Sequence, residues 1–172
     1  MESNKRDLEV SEKTKKASSL AREKKFDEAI KVLGKLIKGL EKCNLDHSDV
    51  CIKIIPYFQK AGRFDELESY VNETLIPVGR AVTKKSFSHQ NKHIQDAFTH
   101  LFLSRVYDKV RLSAKREKNN ELKSYYGDKS QQEYDRYEAA LEKGEEIAAD
   151  EGEKEMVRIF GADKSQWPDS IK

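Results

Sequence analysis

Residues Lys24–Leu33 read KKFDEAIKVL, and residues Gly62–Val71 read GRFDELESYV. Phe-Asp-Glu followed by Ala or Leu therefore occurs twice, with Phe26 and Phe64 38 residues apart. Around the first copy, Ala17, Leu20 and Ala21 lead into Phe26, Ala29, Ile30, Leu33, Leu36, Ile37 and Leu40. Spacings of three, four and seven put these side chains on one side of each helix. The polar run Arg22-Glu23-Lys24-Lys25 suits a tight turn between antiparallel helices. The pattern predicts a helical hairpin over residues 8–42.

The second copy repeats the arrangement over residues 47–80. Val50, Ile54, Ile55, Phe58 and Ala61 form one apolar face, and Phe64, Leu67, Tyr70, Val71 and Leu75 form the next. Gly62 between them tolerates a left-handed backbone. Asp27 and Asp65 stand in first turns, where a carboxylate meets the positive end of the helix dipole. The aromatic beside each is expected to wedge between the two helices of its own pair. Pro56 removes a hydrogen bond within the first helix of the second copy and is expected to kink it.

These residues resemble the tetratricopeptide repeat, a unit of two antiparallel helices in about 34 residues. Ala17, Leu20, Phe26 and Ala29 match its pattern in the first copy, and Phe58, Gly62 and Phe64 match in the second. Pro77 falls near the position that closes the unit. The match covers residues 8–80. It departs in its longer spacing, in lacking the first-helix Trp, in Leu67 replacing the packing Ala, and in Pro56. The resemblance implies an all-α fold of antiparallel hairpins stacked as a short tetratricopeptide-like array, a right-handed superhelix with a concave peptide-binding groove.

Beyond Pro77 the pattern predicts a short helix or helix continuation ending near residues 86–91. A long helix follows over 91–118, with apolar residues from Ile94 to Val110. Asn119, Asn120 and Gly127 mark breaks, and a last long helix is predicted from Gln131 to Asp150. This makes a third hairpin over 91–150 with a loop inserted at 119–130. A short extra helix around Met156–Phe160 ends at Gly161, and the tail 163–172, with Trp167, either docks as a cap or stays free. Residues 153–172 form this C-terminal cap or tail of a single helical domain.

The chain has 172 residues, 37% hydrophobic and 37% charged, with three prolines and eight glycines, few breakers for its length. That favours long helices. Cys43 and Cys51 lack CxxC spacing and read as reduced thiols, the alternative being a disulfide closing the short loop between them. The N-terminal MESNKRDLEVSEK has no apolar signal core, and no apolar run approaches a spanning length; a soluble, cytoplasmic protein is expected. Net charge is +2, but residues 80–129 carry 12 Lys/Arg against 5 Asp/Glu and residues 133–155 carry 3 against 10. Either these blocks face each other or the first is a patch for an acidic partner.

His93, Asp96, His100, Tyr107 and Arg111 form a stripe on the long helix, opposite its apolar side. A solvated face is one reading, and a recognition surface is another, because exposed aromatic, Arg and His groups make good contacts. A metal site from His93, Asp96 and His100 is the third; one helix seldom closes tetrahedral geometry. Lys53 and Tyr57 on the neighbouring helix would join the recognition surface. The two-carboxylate clamp of some tetratricopeptide proteins is not expected, since Thr14, Ser18 and Lys53 hold the corresponding places. No P-loop, GxGxxG or GxSxG occurs. The expectation is a non-catalytic protein- or peptide-binding adaptor with no cofactor, no resident metal and no membrane partner. The alternative is nucleic-acid or phosphate binding through the basic 80–129 region. Stacking on a second copy of the chain is a further reading.

Overall fold

The computed structural model describes residues 2–168, and every regular element among them is helical. In chain order these are α1 (Glu2–Arg22), α2 (Phe26–Ile37), α3 (Asp49–Lys53), α4 (Ile55–Lys60), α5 (Leu67–Tyr70), α6 (Ile76–Ser86), α7 (Lys92–Arg116) and α8 (Asn120–Phe160). Single 3-10 turns lie at Leu40–Lys42, Phe64–Glu66 and Lys164–Gln166, and Val71–Leu75 is a π-helical turn. Residues 169–172, the end of the expected C-terminal tail, lie outside the described residues.

The repeated letters mark a repeated corner. Lys24 and Gly62 hold φ of 63° and 72°. The Lys25 amide bonds to the Leu20 carbonyl and the Lys24 amide to Ala21; Arg63 and Gly62 bond to Phe58 and Gln59 in the same pattern. This pair of bonds with a left-handed residue between them is a Schellman termination. A third corner has the same form with no sequence echo: Lys118 has φ 58°, Asn119 bonds to Ala114, and Lys118 bonds to Lys115. The chain therefore turns the same way between α1 and α2, between α4 and the α5–α6 rod, and between α7 and α8.

Each corner aromatic faces the following helical pair, whereas the sequence pattern placed it within its own. The Phe26 ring lies 6.3 Å from that of Tyr57 on α4, with the Lys60 ammonium 5.6 Å above it. Phe64 shares a cleft wall with Val110 of α7 and Leu122 of α8. The buried residues join into one core running from Val10 to Tyr126 and including Leu33, Ile54, Leu67, Leu75, Leu103 and Val106.

The two prolines within helices behave differently. Pro56 coincides with the expected kink: α3 ends at Lys53 and α4 begins at Ile55. Pro77 does not close the second unit. It sits in the first turn of α6, where a missing N–H costs little, and the rod continues to Ser86. The π turn Val71–Leu75 lies immediately before α6.

The expected loop at 119–130 is absent, because α8 runs unbroken from Asn120 through Gly127 to Phe160. It also absorbs the separate helix expected near Met156, ending at Gly161 as anticipated. Antiparallel packing on α7 sustains it. Ser104 and Ser130 exchange hydroxyl-to-carbonyl bonds of 2.9 and 3.0 Å, and Tyr107 stands against Tyr126 at 5.8 Å. Asn91, the N-cap of α7, accepts from the Ile94 amide and donates to the Gly144 carbonyl at 2.9 Å. Gly144 thus lies level with the start of α7, so residues 145–160 of α8 run on past it. Trp167 folds back and donates from Nε1 to the Gly161 carbonyl at 3.0 Å, leaving only 9% of the residue exposed. No helix among the described residues is long and apolar enough to cross a membrane.

Candidate functional site

His100, Tyr107 and Arg111 of the stripe on α7 meet α8, whereas Asp96 is exposed. Tyr107 is buried, as is Tyr57 on α4, so neither offers an aromatic surface to a ligand. The two tyrosines were expected in a groove; instead the tertiary fold packs a second partner against each helix. Arg111 is half-buried at the α7–α8 seam, its Nε and Nη2 donating to Asp108 at 2.9 and 2.6 Å. His100 Nδ1 meets Glu133 Oε2 at 2.6 Å, the one contact between a basic side chain and a carboxylate that joins α7 to α8 among the described residues. The basic and acidic blocks therefore do not zip together along this seam.

Two of the seven expected residues do meet in an accessible place. Asp96 and His100 line a cleft of about 480 Å³ between α6 and α7, with Arg80 and Lys84 on one wall and Lys92 on the other. Gln95 and Thr99 add hydrogen-bonding groups and Leu103 supplies the floor. The helices approach closely here because Gly79 lacks a side chain: an added Cβ would stand 1.9 Å from the Phe102 ring. Arg80, Lys84 and Lys92 form no hydrogen bond or ion pair among the described residues, whereas His100 is held by Glu133. Lys53 and His93 are half-buried and lie outside this cleft. Sequence spacing could not bring in Arg80 and Lys84, since nothing local shows which face of α6 meets α7.

A cleft of about 520 Å³ between α2 and the rod containing α5 also carries cations, Lys31, Lys35 and Lys38. Its guanidinium, Arg63, is already engaged by Glu66 and Asp27, so it offers only point charges. A third cleft of about 360 Å³ is acidic, but Glu68 there accepts from Tyr126 and Glu117 accepts from Gln59. Burial, then the bond to Glu68, drives the Tyr126 hydroxyl upward.

The metal-ligating types do converge, at a place the helix spacing did not indicate. His93, Asp96 and His100 do not assemble a cluster; Asp7, Cys43 and His47 do, their ligand atoms all within 4.8 Å of one another. His47 Nε2 lies 2.8 Å from Asp7 Oδ1, which also accepts from the Leu45 amide at 3.3 Å. Burial works to raise the Asp7 carboxyl, but the His47 and backbone bonds outweigh it and hold the group below the usual carboxylate range. Burial and the nearby Asp7 charge push the Cys43 thiol up. Both cysteines are free thiols, in keeping with the reduced reading. At 4% exposure, Cys43 is poorly placed for attack on a substrate.

No protein-family model, curated protein or solved structure matches the chain.

Proposed function

We propose that the protein is a non-catalytic recognition module that takes a short carboxylate-rich peptide segment into the cleft between α6 and α7. The observation that carries this reading is the set of three cations, Arg80, Lys84 and Lys92, around one cavity without internal partners. All three are exposed, so their charge is open to a ligand, and a guanidinium that no carboxylate engages is a ready fork for a planar anion. His100, fixed by Glu133, and Thr99 add directional groups, and Leu103 adds an apolar floor. The all-helical fold supports this role, the cleft lying between α6 and α7, and a tetratricopeptide-like stacking of helical pairs is part of the proposal.

The test is fluorescence anisotropy with labelled peptides of equal length, one Glu/Asp-rich and one Lys-rich. The acidic peptide is expected to bind, and Arg80→Glu with Lys84→Glu is expected to weaken it by tenfold or more. Equal affinity of that variant and the parent would remove the proposal. A second reading, nucleic-acid or phosphate binding through the basic region, draws on Lys129, whose ammonium lies 4.6 Å over the exposed Tyr125 ring. Single-stranded RNA in the same assay would then bind with an affinity that falls steeply with salt and would depend on Lys129 and Tyr125 rather than on Arg80.

A further inference from the structure

We propose that Asp7, Cys43 and His47 form a zinc site that fastens the start of α1 to the connection between α2 and α3. The three ligand types are the ones zinc takes, and a set of three protein ligands leaves the fourth tetrahedral position for water. A thiolate and an imidazole select against calcium and magnesium, which want oxygen cages. The spacing of donor atoms is already close to what the ion requires. With Zn–S of about 2.3 Å and Zn–N or Zn–O of about 2.05 Å at tetrahedral angles, neighbouring donors stand roughly 3.3–3.6 Å apart. The observed donors lie within 4.8 Å of one another, with Nε2 and Oδ1 at 2.8 Å, so small side-chain rotations bring them onto that geometry.

Asp7 is distant in sequence from the other two, which lie four residues apart in one connection, and each is held by its own backbone arrangement. Asp7 sits on α1. Cys43 follows the 3-10 turn Leu40–Lys42, and Lys85 of α6 secures that turn, its Nζ donating to the carbonyls of Glu41 and Cys43 at 2.9 and 2.7 Å. The loop that delivers His47 is closed by the Ser48 amide on Asp46 Oδ1 at 2.8 Å and touches Asp7 through the Leu45 amide. Lys85 therefore acts as a positioning residue for the thiol, one shell outside the ligands. Access is also provided. Cys43 lines a cavity of about 300 Å³ together with Arg6, Glu9, Lys13, Lys35 and Lys42, through which water can reach the thiol as the fourth ligand. On binding, the ion replaces the hydrogen shared by His47 and Asp7. Cys43 binds as thiolate, its proton leaving to solvent, while the His47 hydrogen moves from Nε2 to Nδ1 by way of solvent, so that the Nε2 lone pair meets the ion.

The experiment uses the full chain stripped with a chelator and titrated separately with Zn²⁺ and Co²⁺. Calorimetry is expected to show one equivalent of zinc, and cobalt is expected to give a thiolate-to-metal charge-transfer band with the intense visible bands of a tetrahedral ion. Cys43→Ser should abolish the charge-transfer band, Cys51→Ser should leave it, and Asp7→Asn and His47→Asn should each weaken zinc at least tenfold. The melting temperature should rise with zinc for the parent and for Cys51→Ser, and not for Cys43→Ser. Should Cys43→Ser fail to fold, the half-buried Asp7→Asn and His47→Asn carry the test. No cobalt–thiolate band in the parent, a band that survives Cys43→Ser, or an equal thermal shift from calcium or magnesium would overturn the proposal.

Discussion

Lys24 and Lys118 occupy a backbone conformation that a Cβ resists by about 1–2 kcal/mol, and Gly62 occupies the same conformation without that cost. Substituting the three should give opposite results. Gly62→Ala is expected to lower stability by about 1 kcal/mol in urea unfolding. Lys118→Gly and Lys24→Gly should be neutral within about 0.5 kcal/mol, because relief of strain is offset by the freer unfolded chain. Of the three corners, the one at Gly62 was legible from its glycine and the one at Lys24 from its polar run. The corner at Lys118 gave only Asn-Asn as a sign. A lysine in a left-handed conformation is fixed by the helices on either side of it, so its own identity announces nothing.

Cys51 is a second single-residue case. Burial pushes its thiol up to about 12 from an ordinary value near 9. A raised acid keeps its proton in the folded state after the unfolded chain has lost it. Its contribution is therefore complete below pH 9 and disappears as pH rises from 9 to 12, by an amount on the order of 4 kcal/mol at the upper end. Urea midpoints measured across that range should fall for the parent, and fall less for Cys51→Ala. The hydroxyls of buried Tyr126 and half-buried Tyr70, also raised by burial, act in the same direction and will leave part of the slope in place.

Among the helices, α7 and α8 show what caps and close approach contribute. Asn91 and Asn119 both accept from the amide three residues on, Ile94 and Leu122 respectively. Asn91 also bridges to the Gly144 carbonyl. Asn119→Ala should therefore cost about 1 kcal/mol, and Asn91→Ala more, since a second group loses its partner; thermal melts of the two variants will order them. Gly79→Ala drives a methyl into the Phe102 ring and should cost about 1–3 kcal/mol by overpacking. Adding Phe102→Leu should recover part of that loss, a coupling measurable by a double-mutant cycle. The long apolar periodicity made α7 readable from sequence. Gly127 pointed the wrong way for α8, because a helical glycine costs only about 1 kcal/mol. Seam contacts such as Ser104–Ser130 and Tyr107–Tyr126 readily override that. The same docking hid the fate of the stripe: one face of α7 had an apolar signature, and the other was covered through serine, histidine and tyrosine contacts that read as solvated.

Taken together, the described residues form one continuous core from Val10 to Tyr126, while Trp167 sits beyond it at the far end of α8. Helicity followed by circular dichroism should therefore lose its main signal in a single transition. Tryptophan fluorescence should change at lower temperature or denaturant, because the ring is held outside the core by the turn at 161–167 and by that turn's ion pair from Lys164 to Glu153. Coincident curves would show that the end of α8 is tied into the core. The all-helical class and the first two corners were legible from hydrophobic spacing. The cleft between α6 and α7 and the cluster of Asp7, Cys43 and His47 were not, since both join residues whose proximity exists only after the connections between pairs have folded.

α8 has 41 residues, which at 1.5 Å each is a path of about 62 Å. A compact chain of this length has a radius of gyration near 16 Å, so a sphere of its mass is considerably shorter than this one helix. Such a monomer drags like an elongated body. It should leave a sizing column early, at the volume of a heavier globule, and an apparent dimer inferred from elution alone would be the shadow of a single long rod.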